Sequence, residues 1–311
     1  VEKIVFFHMN QLGDMLFSLP VLEALRRQKP EAMLYSVINS NLAPLLKASG
    51  LVDGIIEKDA YAKFKLSSII KKENFTKAVL FSESPSSLLS AFFAKIPIRV
   101  GFDSASLSFL LTQKAEKKGV PSLANNARLA KVCGIKDIKP TYEGLIKVSD
   151  SASLKIQNWF KENNLDPAKT VAFSVGASHR RRQKCLDNKV WAEVLGALGE
   201  SLKLPVLVGA AWEEESLTQI AAMCKKKPRV FISENILESA AFYSKAALFC
   251  GTDSGAMHLA AAVGTKCIAV FGPTDPEQVG PMPAHKHVII KQKNINKVLA
   301  KDIILAVLDS V

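Results

Sequence analysis

One stretch constrains the fold more than any other. The apolar run Ala246–Cys250 ends in a small-residue turn, an alanine-rich helix opens at Ser254 or Gly255, and a second apolar strand, Lys266–Phe271, runs into Gly272-Pro-Thr-Asp-Pro276. This is a strand–turn–helix–strand unit. Its turn sets Thr252, Asp253 and Ser254 at a helix amino end, where unpaired backbone N–H groups and a partial positive charge suit a phosphate. Asp253 and Ser254 are also ordinary N-cap residues, so the turn alone fits both a cap and an anion site.

The same alternation runs along the whole chain. Apolar runs of strand length fall at Lys3–His8, Ala32–Ile38, Gly54–Glu57, Ala78–Phe81 and Ile98–Phe102, separated by helical periodicity at Met15–Gln28, Leu42–Ala48, Leu66–Lys72 and Ser86–Lys95. Pro20 is expected in the first turn of its helix or at a kink. Leu107–Leu111 fits strand or helix, and Asn125–Cys133 is a helix stopped by Gly134. Pro140 to Ser151 reads as a hinge, followed by an exposed helix, Ser153–Asn163. The pattern then restarts with strands at Thr170–Val175, Pro205–Gly209 and Val230–Ile232 and helices at Lys189–Leu202, Glu213–Lys225 and Ser239–Ser244, before the unit described above. Alternating strands and helices with short links predict an α/β chain of doubly wound parallel sheets. Two domains are expected, 1–150 and 151–311, with the amphipathic terminal helix Val298–Leu308 available to pack back on the first. Such sheets bind ligands at the carboxyl ends of their strands, and two of them facing each other make a cleft.

Composition narrows the partners. The 311 residues carry a formal charge of +12, which asks for an acidic partner: nucleic acid, an anionic membrane face or an acidic substrate. Nucleic acid is disfavoured, because aromatic residues make up only 7% and the basic residues are scattered apart from Arg180–Lys184 and Lys225–Lys227. The five cysteines form no CxxC pair and show no regular spacing, which argues against a zinc site or disulfide framework and fits a reducing cytosol. No apolar segment reaches membrane-spanning length, so a cytoplasmic protein is expected.

Three loops carry the candidate chemistry. In Met9-Asn-Gln-Leu-Gly-Asp14, Asp14 is either a first-turn acid favoured by the helix dipole or a general base that deprotonates a hydroxyl. The loop lacks G-x-G-x-x-G and no acidic residue follows where a ribose would need one, which disfavours an ordinary NAD or FAD dehydrogenase and a P-loop NTPase. Arg180, Arg181, Arg182 and Lys184 follow a strand's carboxyl end, where one cation is able to neutralise a departing diphosphate. His258, one turn into its helix, points either to the core or to a ligand. Asp253 and Asp275 stand apart and form no metal-ligand cluster.

In order and spacing these residues resemble the bacterial ADP-heptose–lipopolysaccharide heptosyltransferases, glycosyltransferase family 9. Asp253-Ser-Gly-Ala-Met-His258 with Gly272-Pro-Thr-Asp-Pro276 is similar to the family's D-[ST]-G-x-x-H and G-P-T-[DS]-P blocks. Leu12-Gly-Asp14 with Pro20 and Leu25-Arg26 resembles its opening, and Arg99-Val-Gly-Phe102 matches a weaker element. The resemblance implies a GT-B fold, two Rossmann-like domains facing a cleft, and an inverting, metal-independent transfer with ADP-heptose as co-substrate and no further cofactor. It implies Asp14 as catalytic base. It puts Lys184 on the phosphates and Asp253, Ser254, Gly255 and His258 on the nucleotide-sugar; by their places in the same loops, Arg182 is the alternative phosphate contact, Thr252 a further donor-side candidate, and Asn10, Gln11 and Gly13 acceptor-side candidates. The chain departs from the family pattern at His8-Met-Asn-Gln11, at Ser82-Glu-Ser84 and at Cys185-Leu-Asp187 after Lys184. The expected partner is an acidic lipopolysaccharide core acceptor, with peripheral contact to an anionic membrane surface. Two other readings remain at this level: a sugar-nucleotide epimerase or a different nucleotide-sugar transferase of the same architecture, and a non-catalytic module that holds an anionic glycan or nucleic acid through its positive charge.

Overall fold

The first strand, Lys3–Phe7 (β1), shows why the chain builds covered sheets. Alternate residues of a strand face opposite ways, yet Ile4, Val5, Phe6 and Phe7 are all buried. A strand apolar on both sides needs helices on both sides. A computed structural model describes residues 1–119, 121–176, 183–200 and 204–310. The chain divides into two compact units, Val1–Leu145 and Ile146–Val311.

In the first unit β1 is followed by α1 (Leu12–Gln28), β2 (Met33–Ile38), α2 (Ala43–Ala48), β3 (Gly54–Glu57), α3 (Lys63–Lys72), β4 (Lys77–Leu80), α4 (Pro85–Phe93), β5 (Ile98–Phe102), β6 (Gln113–Ala115) and α5 (Ser122–Val132). The strands form one parallel sheet in the order β3-β2-β1-β4-β5-β6. Helix α1 packs with α5, and α3 with α4. Under α3 and α4 lies a core that joins Val5 and Phe7 to Leu66, Ile70, Leu88 and Ala91.

The second unit runs α6 (Asp150–Glu162), β7 (Thr170–Ser174), α7 (Asn188–Glu200), β8 (Leu204–Ala210), α8 (Glu214–Met223), β9 (Arg229–Ser233), α9 (Ile236–Lys245), β10 (Leu248–Thr252), α10 (Gly255–Ala262), β11 (Cys267–Phe271), α11 (Pro276–Val279), β12 (Val288–Lys291) and α12 (Ala300–Leu308). Its parallel sheet has the order β12-β11-β10-β7-β8-β9. Val171, Phe173, Cys250 and Val270 meet Trp191, Leu195, Ile303 and Val307 in one core, and α12 packs on α7 and beside β11 and β12.

Counted from its own first strand, each sheet has the doubly wound order 3-2-1-4-5-6. The winding reverses between β1 and β4 in one unit and between β7 and β10 in the other, and the crevice outside the carboxyl ends there is where such sheets take ligands.

The structure corrects several sequence expectations. Leu107–Leu111 is neither strand nor α-helix: Ser108–Leu110 is a single 3-10 turn leading into β6. β6 and β12 are short edge strands whose polar or alternately exposed residues give little apolar signal. Helix α1 begins at Leu12, which leaves Pro20 in its interior rather than its first turn. The helix expected to be exposed at Ser153–Asn163 starts at Asp150 and buries Ala152, Ile156 and Phe160. It packs on α9, with the Trp159 ring 5.2 Å from Phe231 and 5.4 Å from Phe242. Among the described residues no helix is long and apolar enough to cross a membrane.

Candidate functional site

Chemistry-bearing residues collect at the switch point of each sheet. In the first unit, the loop after β1 and the start of α1 border a cavity of about 360 Å³, lined by Met9, Asn10, Gln11, Asp14, Lys58 and Tyr61. Serines complete it: Ser82 and Ser84 after β4, and Ser86, Ser87 and Ser90 of α4. Asp14 sits in the first turn of α1, where a carboxylate is favoured by the helix dipole. Gln11 holds the N-cap position without a side-chain capping bond, leaving its amide for the cavity. Gly13 lies in the same turn but outside the cavity lining. A cavity with one carboxylate, one ammonium and a wall of hydroxyls suits a polyhydroxylated ligand with an acidic group.

The loop carrying Asn10 is pinned from below. His8, at the end of β1, is buried, with Nδ1 3.0 Å from Ser18 Oγ on α1 and Nε2 2.9 Å from Ser36 Oγ on β2. Ser18 donates its own proton to Met15 O at 2.5 Å, so its oxygen is left to accept. His8 therefore carries its proton on Nδ1 and accepts from Ser36 at Nε2. Burial pulls this imidazole down to about 3, with Lys58 acting in the same direction, so it stays neutral. Lys58 Nζ donates to Asn10 Oδ1 and, at 3.4 Å, to His8 O. Burial also lowers the Lys58 ammonium from the usual lysine range, against the opposing charge of Asp59.

The second unit gathers a cation, a carboxylate and a helix amino end. Lys184 is 7% exposed and Asp253 5% exposed, and the two form a buried ion pair. Thr274, from the Gly272–Pro276 turn, donates to the same carboxylate oxygen at 2.5 Å. Lys291 of β12 holds that turn by donating to Gly272 O and, at 2.7 Å, to Thr274 O. Two buried charges persist only when paired and hydrogen-bonded, and this network satisfies that condition for Lys184. Thr252 donates to Gly176 O at 3.1 Å, which ties the end of β10 to the end of β7.

Ser254 occupies the N-cap position of α10, and Gly255 is its first residue. Ser254 makes no capping bond, and its buried Oγ has no hydrogen-bond partner among the described residues. The plain cap reading of the turn therefore fails for Ser254. A hydroxyl left unmatched beside free helix N–H groups is matched by an anionic oxygen. His258, one turn on, is buried; burial pulls it down to about 4, Asp253 opposes this, and Lys184 and His287 add to it. It stands neutral at physiological pH next to the ion pair.

The expected residues thus fall into two groups: Asp14, Asn10 and Gln11 in one unit, and Lys184, Thr252, Asp253, Ser254, Gly255 and His258 in the other. Arg182, with Arg180 and Arg181, lies outside the described residues. Thr274 was visible in the sequence only as part of a motif, and the roles of Lys58, Lys291 and the α4 serines were not visible at all. Lys58 and Lys291 look like surface charge until the sheet order brings them to the loops they hold. Among the described residues no group of three or more His, Cys, Asp or Glu side chains has metal-site geometry.

The sequence pattern of glycosyltransferase family 9 (heptosyltransferase) matches residues 63–304. Lipooligosaccharide heptosyltransferase 2 of Haemophilus influenzae is 25% identical over 93% of this chain and 88% of its own length. A family 9 glycosyl transferase from Veillonella parvula superposes with a TM-score of 0.87 at 18% identity, covering 99% of this chain and 96% of that one. The ADP-heptose lps heptosyltransferase II of Escherichia coli gives a TM-score of 0.84 at 21% identity, covering 99% and 98%. The two six-stranded parallel sheets are those of the GT-B fold.

Proposed function

Because this chain belongs to glycosyltransferase family 9, the heptosyltransferases, we propose that it moves a heptose from ADP-heptose to the acidic sugar core of a lipopolysaccharide, inverting the anomeric carbon. The observation that carries the donor half is the Lys184–Asp253 pair beside the unmatched Ser254 hydroxyl at the start of α10. In this reading the ADP diphosphate meets Lys184, the Ser254 hydroxyl and the first N–H groups of α10. Asp253 and Thr274 hold Lys184 in place, and His258 stays neutral so that it donates or accepts a hydrogen bond without adding charge.

The acceptor occupies the cavity beside Asp14. Its hydroxyl oxygen attacks the anomeric carbon from the face opposite ADP, the bond from that carbon to the diphosphate oxygen breaks, and the hydroxyl proton passes to the Asp14 carboxylate. A single displacement of this kind needs one base and stabilisation of the leaving diphosphate. Lys184 and the α10 amino end supply the latter, so the reaction proceeds without a divalent ion. Lys58 faces the acid group of the acceptor, and the α4 serines its hydroxyls. The acceptor is lipid-borne, so the reading includes peripheral contact with an anionic membrane at its cytoplasmic face.

The test is ADP release from ADP-heptose with and without a lipopolysaccharide core acceptor, each with and without EDTA. Release that requires the acceptor and is unchanged by EDTA is expected. Conversion of the sugar-nucleotide with donor alone would mean an epimerase instead, and loss of activity in EDTA would remove the metal-free mechanism.

A further inference from the structure

Exposed phenylalanines are uncommon unless something covers them, and this chain places three together. Phe92 is 40%, Phe93 58% and Phe109 73% exposed. Single exposed apolar residues need no explanation, but these belong to one surface. The Phe92 and Phe93 rings lie 5.6 Å apart, edge to face. The Arg99 guanidinium sits 5.6 Å from the Phe92 ring and donates from Nε to Leu110 O at 2.7 Å, next to Phe109. Leu107 and Leu110, on either side of Phe109, pack against the core under α3 and α4. The rings are thus held outward by a rigid base.

The surroundings are basic. Lys95, directly after α4, and Lys114, on the edge strand β6, are both exposed. We propose that Phe92, Phe93 and Phe109, with Arg99, Lys95 and Lys114 around them, form the surface by which this protein rests on an anionic lipid bilayer. Aromatic rings favour the interface between headgroups and acyl chains, and Lys or Arg beside them favour anionic lipid. A second copy of the chain fits less well, because a twofold contact would set this basic surface against itself.

The position serves the reaction, and this part rests on the proposed function. Helix α4 carries Ser86, Ser87 and Ser90 on the cavity beside Asp14 and the two phenylalanines at its other end. Nine helical residues span about 13 Å, so a protein seated on these rings holds its acceptor cavity within a short sugar chain's reach of the lipid.

The test is co-sedimentation, without donor, with vesicles of phosphatidylcholine alone and with phosphatidylglycerol added. The wild-type chain is expected to bind the anionic vesicles, to bind the neutral ones weakly, and to release with added salt. The triple variant Phe92→Ser, Phe93→Ser, Phe109→Ser is expected to lose about tenfold in partitioning while keeping its circular dichroism spectrum and its turnover of a short lipid-free acceptor. Phe109→Ser alone, at a site open enough to leave folding intact, gives a smaller loss in the same direction. Equal binding by variant and wild type, no binding by wild type, or a wild-type dimer that the variant dissolves would each overturn the proposal. Because binding is read without turnover, an inactive but vesicle-bound protein would count against the proposed reaction and leave this surface standing.

Discussion

At the scale of single residues, four side chains in the second unit form one line: Lys291 holds the Gly272–Thr274 turn, Thr274 bonds Asp253, and Asp253 pairs with Lys184. Lys291 touches no substrate in the proposed mechanism, so it is a positioning residue. Lys291→Met is expected to lower kcat/KM for ADP-heptose about tenfold, as befits the loss of two charge-assisted hydrogen bonds that reach Lys184 only through the turn, while Lys291→Arg restores most of the loss. Unchanged kinetics in the Met variant would show that the turn holds itself. The place of Asp253 and Ser254 at a helix amino end was legible in the sequence because a turn between an apolar strand and an alanine-rich helix announces it, whereas the direction of His258 was left open. Lys291 was not legible, since a lysine ending a short edge strand has no local signature. His8 is similar: its neutral state follows from burial and Lys58, and its tautomer from Ser18 and Ser36, residues that do not neighbour it in sequence.

At the scale of elements, the parallel strands and their helices were readable from period and length wherever both faces were buried. β10 and β11 are wholly buried runs of five residues each. What escaped were β6 and β12, because an edge strand needs apolar residues on fewer positions and runs short. The depth of packing where β10 meets β7 was also invisible. A Cβ added to Gly251 would lie 2.4 Å from Ser174 O on the neighbouring strand, and backbone there cannot give way. Gly251→Ala is therefore expected to destabilise the fold by about 1–3 kcal/mol, read as a lower urea midpoint at unchanged slope. An unchanged midpoint would mean that the two strands separate more easily than their hydrogen bonding implies.

At the scale of the whole molecule, two buried neutral histidines set a pH dependence. Burial depresses His8 from 6.5 to about 3 and His258 from 6.5 to about 4. The unfolded chain takes up these protons as pH falls below 6.5 while the folded chain does not, so stability is full above that value and is lost on acidification. At pH 5 each histidine costs about 2 kcal/mol. Carboxylates join in only at lower pH: Glu2, held down by Lys29 and Lys77 despite burial, starts from an ordinary value of 4.5. A urea midpoint that falls clearly between pH 7 and pH 5 is expected, and equal midpoints would mean that these imidazoles reach water.

The proposed transfer depends on Asp14 taking the acceptor's proton. The most direct measurement is single-turnover transfer by Asp14→Asn with ADP-heptose and a lipid-free core acceptor, beside the donor's dissociation constant. The predicted result is a chemical step slowed by about 10²–10⁴-fold with donor affinity within about twofold of wild type, since the donor contacts lie in the other unit. Transfer at close to the wild-type rate would contradict it.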